Sequence, residues 1–322
     1  MYHAPDTSLW KGRHDGDEPS HHRYHHVVRP LDMGADVPQV SGMAFALLGF
    51  SSDEGVKRNK GRAGAAEGPN AIRAALANLP FHAGTDVIIV DAGDVICDRD
   101  QLEAAQVRLA EAVKTLLQAG YFPLVMGGGH EVSFGHYMGL HQAHPESHIG
   151  IFNFDAHFDL RDDKQGATSG TPFTQIAGKL KEEGTPFSYC CAGIEWFGNT
   201  AYLFEQAKGR GVQYLFSQDV QMPCPESSLK SMDDFLASVD RLYVTLCLDV
   251  FSASVAPGVS APNPAGLLPR DVQPLLERLL RSGKVLSMDV AEMNPAMDRD
   301  GITARLAAIM LDQVIRTRSD AR

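Results

Sequence analysis

Five cysteines in 322 residues, two of them the neighbours Cys190 and Cys191, are too few and too odd in number for a disulfide-built extracellular scaffold. Reduced thiols are expected. Long apolar runs are missing too: the stretches 44–48 and 244–248 are far too short to cross a bilayer, and Met1-Tyr2-His3-Ala4-Pro5-Asp6 has neither the basic nor the apolar part of a secretion signal. No membrane partner is expected, and the cytoplasm is the expected location. Positive charge is in deficit, with 29 Lys and Arg against 40 Asp and Glu and a net charge of −11. That balance argues against a broad phosphate-binding surface, so nucleic acid is not expected as a partner. Neither a P-loop spacing nor the separated glycines of a dinucleotide site is present.

What the chain does have is a composition able to build a large core, 44% apolar and 21% charged. Its length suits one large α/β body. Residues 1–35 are polar, lack periodicity and hold six of the 13 histidines (His3, His14, His21, His22, His25 and His26). They read as an extended N-terminal arm, with 36–322 as a single domain. From there, short runs rich in Val, Ile, Leu and Phe alternate with amphipathic stretches, the pattern of repeated βα units. The spacing predicts strands over 44–49, 87–91, 122–126, 149–154, 188–193, 212–216, 243–248 and 285–289. Helices are predicted over 69–78, 101–119, 132–141, 172–182, 201–208, 231–239, 270–281 and 301–317. Eight parallel strands can form an open doubly wound sheet or a closed barrel, and the pattern does not choose between them.

Four polar clusters each follow a predicted strand: Gly127-Gly128-Gly129-His130-Glu131, Asp155-Ala156-His157-Phe158-Asp159, Asp249, and Asp289-Val290-Ala291-Glu292. Carboxyl ends of parallel strands line one crevice, so these residues should converge. Carboxylates and imidazoles gathered in a low-dielectric crevice call for a cation, and oxygen with nitrogen donors suits Mn²⁺, Fe²⁺ or Zn²⁺. The weight of carboxylates leans to manganese. The consecutive glycines let His130 approach the crevice closely.

These motifs, with Thr245-Leu246-Cys247-Leu248-Asp249 and Ala256-Pro257-Gly258-Val259-Ser260-Ala261-Pro262, resemble the manganese-dependent ureohydrolases, the family of arginase, agmatinase and formimidoylglutamase. Several segments are similar to the formimidoylglutamases within it. They are Trp10-x-Gly12-Arg13-x-Asp15, the stretch from Asp53-Glu54-Gly55 through Arg58-Asn59 and Gly61-Arg62 to Gly64-Ala65, and Asp159-Leu160-Arg161 with Ser169-Gly170-Thr171-Pro172-Phe173. The resemblance implies a three-layer α/β/α fold with a central eight-stranded parallel sheet, and a homo-oligomer. It implies two Mn²⁺ per subunit, one held by His130 and Asp159, the other by His157 and Asp249, with Asp155 bridging. Cys247 stands where most relatives carry a second bridging aspartate, a softer donor that must lose its proton to bind.

The activity implied is hydrolysis of N-formimidoyl-L-glutamate to L-glutamate and formamide in histidine degradation, through a metal-bridging hydroxide that attacks the amidine carbon. Asp159 is then ligand and proton shuttle, and Glu292 pairs with the cationic amidinium. The substrate, a small amidine with two carboxylates, needs donors. Arg161 is the main candidate because its planar fork can hold a carboxylate through two parallel bonds. Asn59, Arg58, Arg62 and Thr171 are further candidates. Two other readings stay open: a ureohydrolase acting on agmatine, arginine or a guanidino acid, and a non-catalytic ligand-binding protein on the same scaffold.

Overall fold

The computed structural model describes residues 1–320. All eight expected strands form, joined by two short ones from the arm. They are β1 (Tyr2–His3), β2 (Arg29–Pro30), β3 (Ala44–Ser51), β4 (Ile88–Ile96), β5 (Phe122–Gly127), β6 (Ile149–Phe154), β7 (Tyr189–Ile194), β8 (Gln213–Phe216), β9 (Arg241–Cys247) and β10 (Val285–Ala291). The helices are α1 (Tyr24–Val27), α2 (Glu54–Arg58), α3 (Gly68–Ala77), α4 (Leu102–Gln118), α5 (Val132–Ala143), α6 (Pro172–Glu182), α7 (Ala201–Gly209), α8 (Glu226–Ala237), α9 (Pro269–Arg281) and α10 (Ile302–Asp320). No helix among the described residues is long and apolar enough to cross a membrane.

The sheet is open, so the barrel alternative falls. Its order is β1-β4-β3-β5-β10-β9-β6-β7-β8, with β2 also on β4. Strands β3 to β10 pair in parallel, while β1 runs antiparallel to β4. Their side chains alternate between two cores. Phe45, Leu47, Leu124, Phe152, Val244 and Met288 face one core, under α3, α8, α9 and α10. Ala46, Leu48, Val125, Ile151, Tyr243 and Cys191 face the other, under α4, α5, α6 and α7. Burial on both faces explains why the strands read as unbroken apolar runs rather than as alternation.

The helices follow from the same periodicity. In α4 the buried side chains are Leu102, Ala105, Gln106, Leu109, Ala110, Val113 and Leu116, a single stripe at 3.6-residue spacing. Pro69 and Pro269 sit in the first turns of α3 and α9, where a missing N–H costs nothing. Helix α8 begins five residues before the expected start because its first turn, Glu226-Ser227-Ser228, is polar and hides the period.

The arm is laid along the molecule. Tyr24 is wholly buried in the first core, and β1 and β2 cover the outer side of β4, an edge that would otherwise expose unpaired backbone groups.

Chain order and sheet order disagree at two places, where β5 is added on the side of β3 away from β4 and where β10 and β9 lie between β5 and β6. The chain builds β3 and β4, adds β5, leaves a gap, builds β6 to β8 outward, and returns to fill the gap with β9 and β10. The crevice outside the carboxyl ends of β5, β10, β9 and β6 therefore lies where the winding reverses, the place open α/β sheets use for ligands.

Candidate active site and metal centre

Four adjacent strands deliver the four polar clusters. His130 follows β5, Glu292 follows β10, Cys247 and Asp249 end and follow β9, and Asp155, His157 and Asp159 follow β6. The glycines before His130 serve close packing. A Cβ on Gly128 would sit 1.7 Å from the Ser52 carbonyl oxygen, so only glycine lets β5 turn against the end of β3 there. Asp159 and Glu292 both adopt positive φ, 47° and 71°, a region non-glycine residues rarely occupy. Strain held at two carboxylates of one crevice suits residues placed for chemistry.

Asp155 is the hub. One of its oxygens lies 2.9 Å from His130 Nδ1, and the other lies 3.4 Å from His157 Nδ1 and accepts from the His157 backbone N–H at 2.8 Å. His130 Nδ1 is also 2.9 Å from Asp159, and His157 Nδ1 is 3.2 Å from Asp249. The donor atoms of His130, Asp155 and Cys247 all lie within 4.8 Å of one another, as do those of Asp155, His157 and Asp249. Asp155 belongs to both groups, the arrangement required of a bridge between two ions.

Burial dominates the electrostatics. It drives the Asp159 and Asp249 carboxyls up, reinforced by the charge of Asp155, and brings Glu292 up to about 7. The Cys247 thiol is likewise pushed well up by burial and the surrounding carboxylates. Burial also works against the Asp155 charge, but His130 and His157 outweigh it and hold that carboxyl far below its ordinary range. Both imidazoles are lowered by burial and then carried well above their usual value by their aspartate partners. Asp249 Oδ1 is buried with no hydrogen-bond partner among the described residues. A set of nitrogen, oxygen and sulfur donors, negative in balance and with an orphaned oxygen, fits divalent cations, since burying such charge uncompensated is costly.

Behind His130 runs a second layer. Its Nε2 faces Thr245 Oγ1 at 3.0 Å, and Thr245 donates to Asp289 at 2.6 Å. Asp289 also meets His136 Nδ1 at 2.6 Å and accepts from the Tyr243 hydroxyl. His136 Nε2 closes the chain on Ser287, which donates to the Pro123 carbonyl. With its hydroxyl proton given to Asp289, Thr245 accepts from Nε2 and leaves Nδ1 free to bind a cation.

A cavity of about 290 Å³ opens over the cluster, its floor formed by His130, His157, Asp159, Cys247, Asp249 and Glu292. Its upper wall includes Asn59, Lys60, Arg161, Ser169, Leu203 and Ser260. Glu292 accepts the His130 backbone N–H at 3.0 Å and the Ser260 hydroxyl. Larger cavities elsewhere, such as the one of about 500 Å³ beside His22 and Phe81, carry no comparable convergence of donors.

Comparison with known proteins decides the family. The sequence model of the arginase family matches residues 43–316. A formimidoylglutamase of Geobacillus sp. (strain WCH70) is 45% identical over 96% of this chain and 94% of its own. The chain belongs to the arginase family. A second relative, the formimidoylglutamase of Ralstonia nicotianae (strain ATCC BAA-1114 / GMI1000), is 45% identical over 98% of this chain and 97% of its own. Of the solved structures, Trypanosoma cruzi formiminoglutamase with a pair of Mn²⁺ ions superposes with a TM-score of 0.77 at 26% identity, covering 86% of this chain and 94% of that one. The Bacillus subtilis formimidoylglutamase, at 22% identity and a TM-score of 0.80 over 92% of both chains, speaks to the fold. This arginase-family chain is thus a hydrolase whose likeness is to the formimidoylglutamases, on the three-layer fold expected.

The expected site residues divide in two. His130, Asp155, His157, Asp159, Cys247, Asp249 and Glu292 meet in the crevice, and Asn59 and Arg161 line the cavity. Arg58, Arg62 and Thr171 lie outside its lining. Arg58 is fastened to Glu54, Glu103 and the Asp100 and Ala167 carbonyls. Arg62 bonds the Val259 and Ser260 carbonyls, and Thr171 bonds Thr168 and Gln175. Their polar groups stitch loops together.

Sequence reasoning passed over Thr245 and His136, whose roles appear only once β9, β10 and α5 are packed. It also gave Glu131 no role. That carboxyl is wholly buried, accepts from Ser52 Oγ and the Gly55 N–H, and is raised to about 8 by burial and by Glu292. Its place beside His130 in the glycine motif was the one available signal.

Proposed function

We propose that this chain hydrolyses N-formimidoyl-L-glutamate to L-glutamate and formamide in histidine degradation, using a pair of Mn²⁺ ions. The observation that carries this reading is Asp155, shared by two donor groups beneath a cavity whose rim holds an arginine, Arg161, with no side-chain partner among the described residues. One ion would be held by His130, Asp155 and Asp159 with Cys247, the other by Asp155, His157 and Asp249. When bound, the pair supplies hydroxide near neutral pH and offsets the negative charge that develops during attack.

The protein's own groups divide the remaining work. Asp159, held at positive φ against His130, takes the proton of the nucleophile and delivers it to the departing amine. Glu292 keeps one lone pair on each oxygen beyond its bonds to His130 N–H and Ser260, and pairs with the amidinium end of the substrate. Arg161 receives a carboxylate of the glutamate end. Leu203 and Gly198 form the apolar and close-packed side, where a Cβ on Gly198 would approach the His157 ring to about 3.2 Å.

Product analysis tests the proposal. Protein treated with Mn²⁺ and given N-formimidoyl-L-glutamate should release formamide and L-glutamate in equal amounts. Ammonia with N-formylglutamate would mean a different hydrolysis, and preferential turnover of agmatine, arginine or a guanidino acid would move the chain to another branch of the family.

A further inference from the structure

The substrate proposed above is a dianion at its glutamate end, and the floor of the cavity is acidic. Asp159, Asp249 and Glu292 face it from below. A pair of Mn²⁺ ions would offset those carboxylates, but each carboxylate of the substrate still leaves water and needs charged or hydrogen-bonding donors of its own at the rim. One guanidinium, Arg161, answers one carboxylate. The second needs a cation of its own.

Helix α2 and the loop after it carry four cationic side chains, and three are engaged. Lys57 pairs with Asp53 at 2.6 Å, Arg58 with Glu54 and Glu103, and Arg62 with two backbone carbonyls. Lys60 is the fourth. It lines the cavity with Arg161, and neither side chain has a hydrogen-bond or ion-pair partner among the described residues. Beside them, Asn59 Nδ2 donates to Ser169 Oγ at 3.1 Å, and a Cβ on Gly170 would press to 2.7 Å on Arg161 Cδ. The wall is shaped around the arginine and leaves the lysine free.

The backbone at Lys60 adds a second, independent observation. Helix α2 ends with the Gly61 N–H on the Val56 carbonyl and the Lys60 N–H on the Lys57 carbonyl, the two bonds of a Schellman turn. That turn puts its penultimate residue in the left-handed region, where glycine is the favoured occupant, yet Lys60 stands there at φ 62°. A lysine held against local preference, uncommitted and at the exposed edge of the cavity lining, marks a position where the side chain is needed.

We propose that Lys60 is the second carboxylate-binding residue, and that Lys60 and Arg161 each take one of the substrate's two carboxylates, making the site selective for dicarboxylate amidines. This inference rests on the functional reading above and adds a residue to it. The test pairs variants with truncated substrates. Wild-type, Lys60→Met, Lys60→Gly and Arg161→Met proteins, loaded with Mn²⁺, are assayed on N-formimidoyl-L-glutamate and on two analogues, one lacking the α-carboxylate and one lacking the side-chain carboxylate. Lys60→Met should raise KM on the order of ten-fold and leave kcat within about three-fold, the pattern of a lost binding contact. On the analogue missing the carboxylate that Lys60 reads, the variant should lose nothing further, while Arg161→Met should show the same silence on the other analogue. Lys60→Gly separates binding from folding, since it relieves the left-handed backbone: its melting temperature should hold or rise while its KM rises like that of Lys60→Met.

Equal losses on all three substrates, or an unchanged KM, would overturn the assignment of Lys60 while wild-type turnover of formimidoylglutamate leaves the functional reading intact. Absence of wild-type turnover overturns that reading, and this inference with it.

Discussion

Two buried polar clusters flank the same sheet and are built on opposite terms. In one, Arg73 of α3 is only 1% exposed and pairs with Asp91 at 2.9 Å and Asp94 at 2.8 Å, with a further bond to the Gly93 carbonyl. Asp91 is completed by the Trp10 indole N–H and the Gly93 N–H. Donors and acceptors are matched, and no atom of Arg73 or Asp91 is left over. In the crevice beyond β5, β10, β9 and β6, carboxylates outnumber imidazoles, Asp249 Oδ1 and the nearby Glu131 Oε2 lack partners, and two residues sit at positive φ. A satisfied cluster holds the fold together. An unsatisfied one is held together by the fold and waits for something else to complete it.

The sharpest way to break this contrast is to make a matched change in each cluster. Asp155→Asn keeps the size of the hub and removes its charge. It should abolish Mn²⁺ binding by elemental analysis and lower turnover by more than ~1000-fold. The melting temperature of the metal-free protein should fall as well, because His130 and His157 hold that carboxyl far below its ordinary range and its charge therefore stabilises the fold. Full activity in Asp155→Asn would sink the metal assignment.

Arg73→Met is the counterpart. It strands Asp91, itself 1% exposed, without its cation, and should cost about 3–5 kcal/mol in denaturant unfolding. Activity per folded molecule should be preserved. Adding Asp91→Asn should recover part of the loss, since the amide oxygen still accepts from Trp10. A loss of activity without loss of stability would mean the two clusters are coupled in a way their contacts do not suggest.

Proton linkage sharpens the crevice side. His130 and His157 are carried well above the usual histidine value by their aspartates, so protons compete with the cation for them. Mn²⁺ binding should therefore release protons, and affinity should rise with pH until those imidazoles are neutral. Calorimetric titration in buffers of different ionisation enthalpy measures the release. Behind His130, Asp289→Asn should weaken Mn²⁺ binding by about 10–100-fold through loss of the Thr245 and His136 bonds that orient the ring. Unchanged affinity would show that His130 is oriented by Asp155 and Asp159 alone.

The same contrast explains what was legible in the sequence. Each crevice residue follows a strand, and strand ends are local signals: an apolar run stops and His130, Asp155 or Asp249 begins. Parallel topology then supplies the convergence without any knowledge of which strands are neighbours. The Arg73 cluster gives no such signal. Its partners are 18 and 21 residues away, and its meaning depends on α3 lying across β4. His136 is hidden for a related reason: α5 is buried on nearly every side, and a histidine inside it reads as another interior residue until Asp289 is seen to face it. Arg58, Arg62 and Thr171 show the converse. They share segments with cavity-lining residues, and only packing reveals that their polar groups are already spent on carbonyls, carboxylates and turns. The attachment of residues 1–35 was not legible, because Tyr24 and Trp10 stand in a polar stretch and their burial is decided by surfaces far along the chain.

The smallest expected effect concerns that attachment. Trp10 donates its indole N–H to Asp91 Oδ2 at 2.8 Å and packs against the first core, so the N-terminal segment contributes to the satisfied cluster. Trp10→Phe keeps most of the packing and deletes the donor. Asp91 then still has Arg73 and the Gly93 N–H, and the loss should be about 1 kcal/mol, below the full value of a bond to a charged acceptor because two partners remain. Denaturant unfolding at neutral pH measures it, with Arg73→Met as background. If the arm bond and the Arg73 pair form one network, the two losses should fail to add, with Trp10→Phe costing more once Arg73 is gone and Asp91 depends on the indole. Strict additivity would mean the arm is held by Tyr24 and by β1 and β2 on β4, with the Trp10 bond incidental to the cluster it touches.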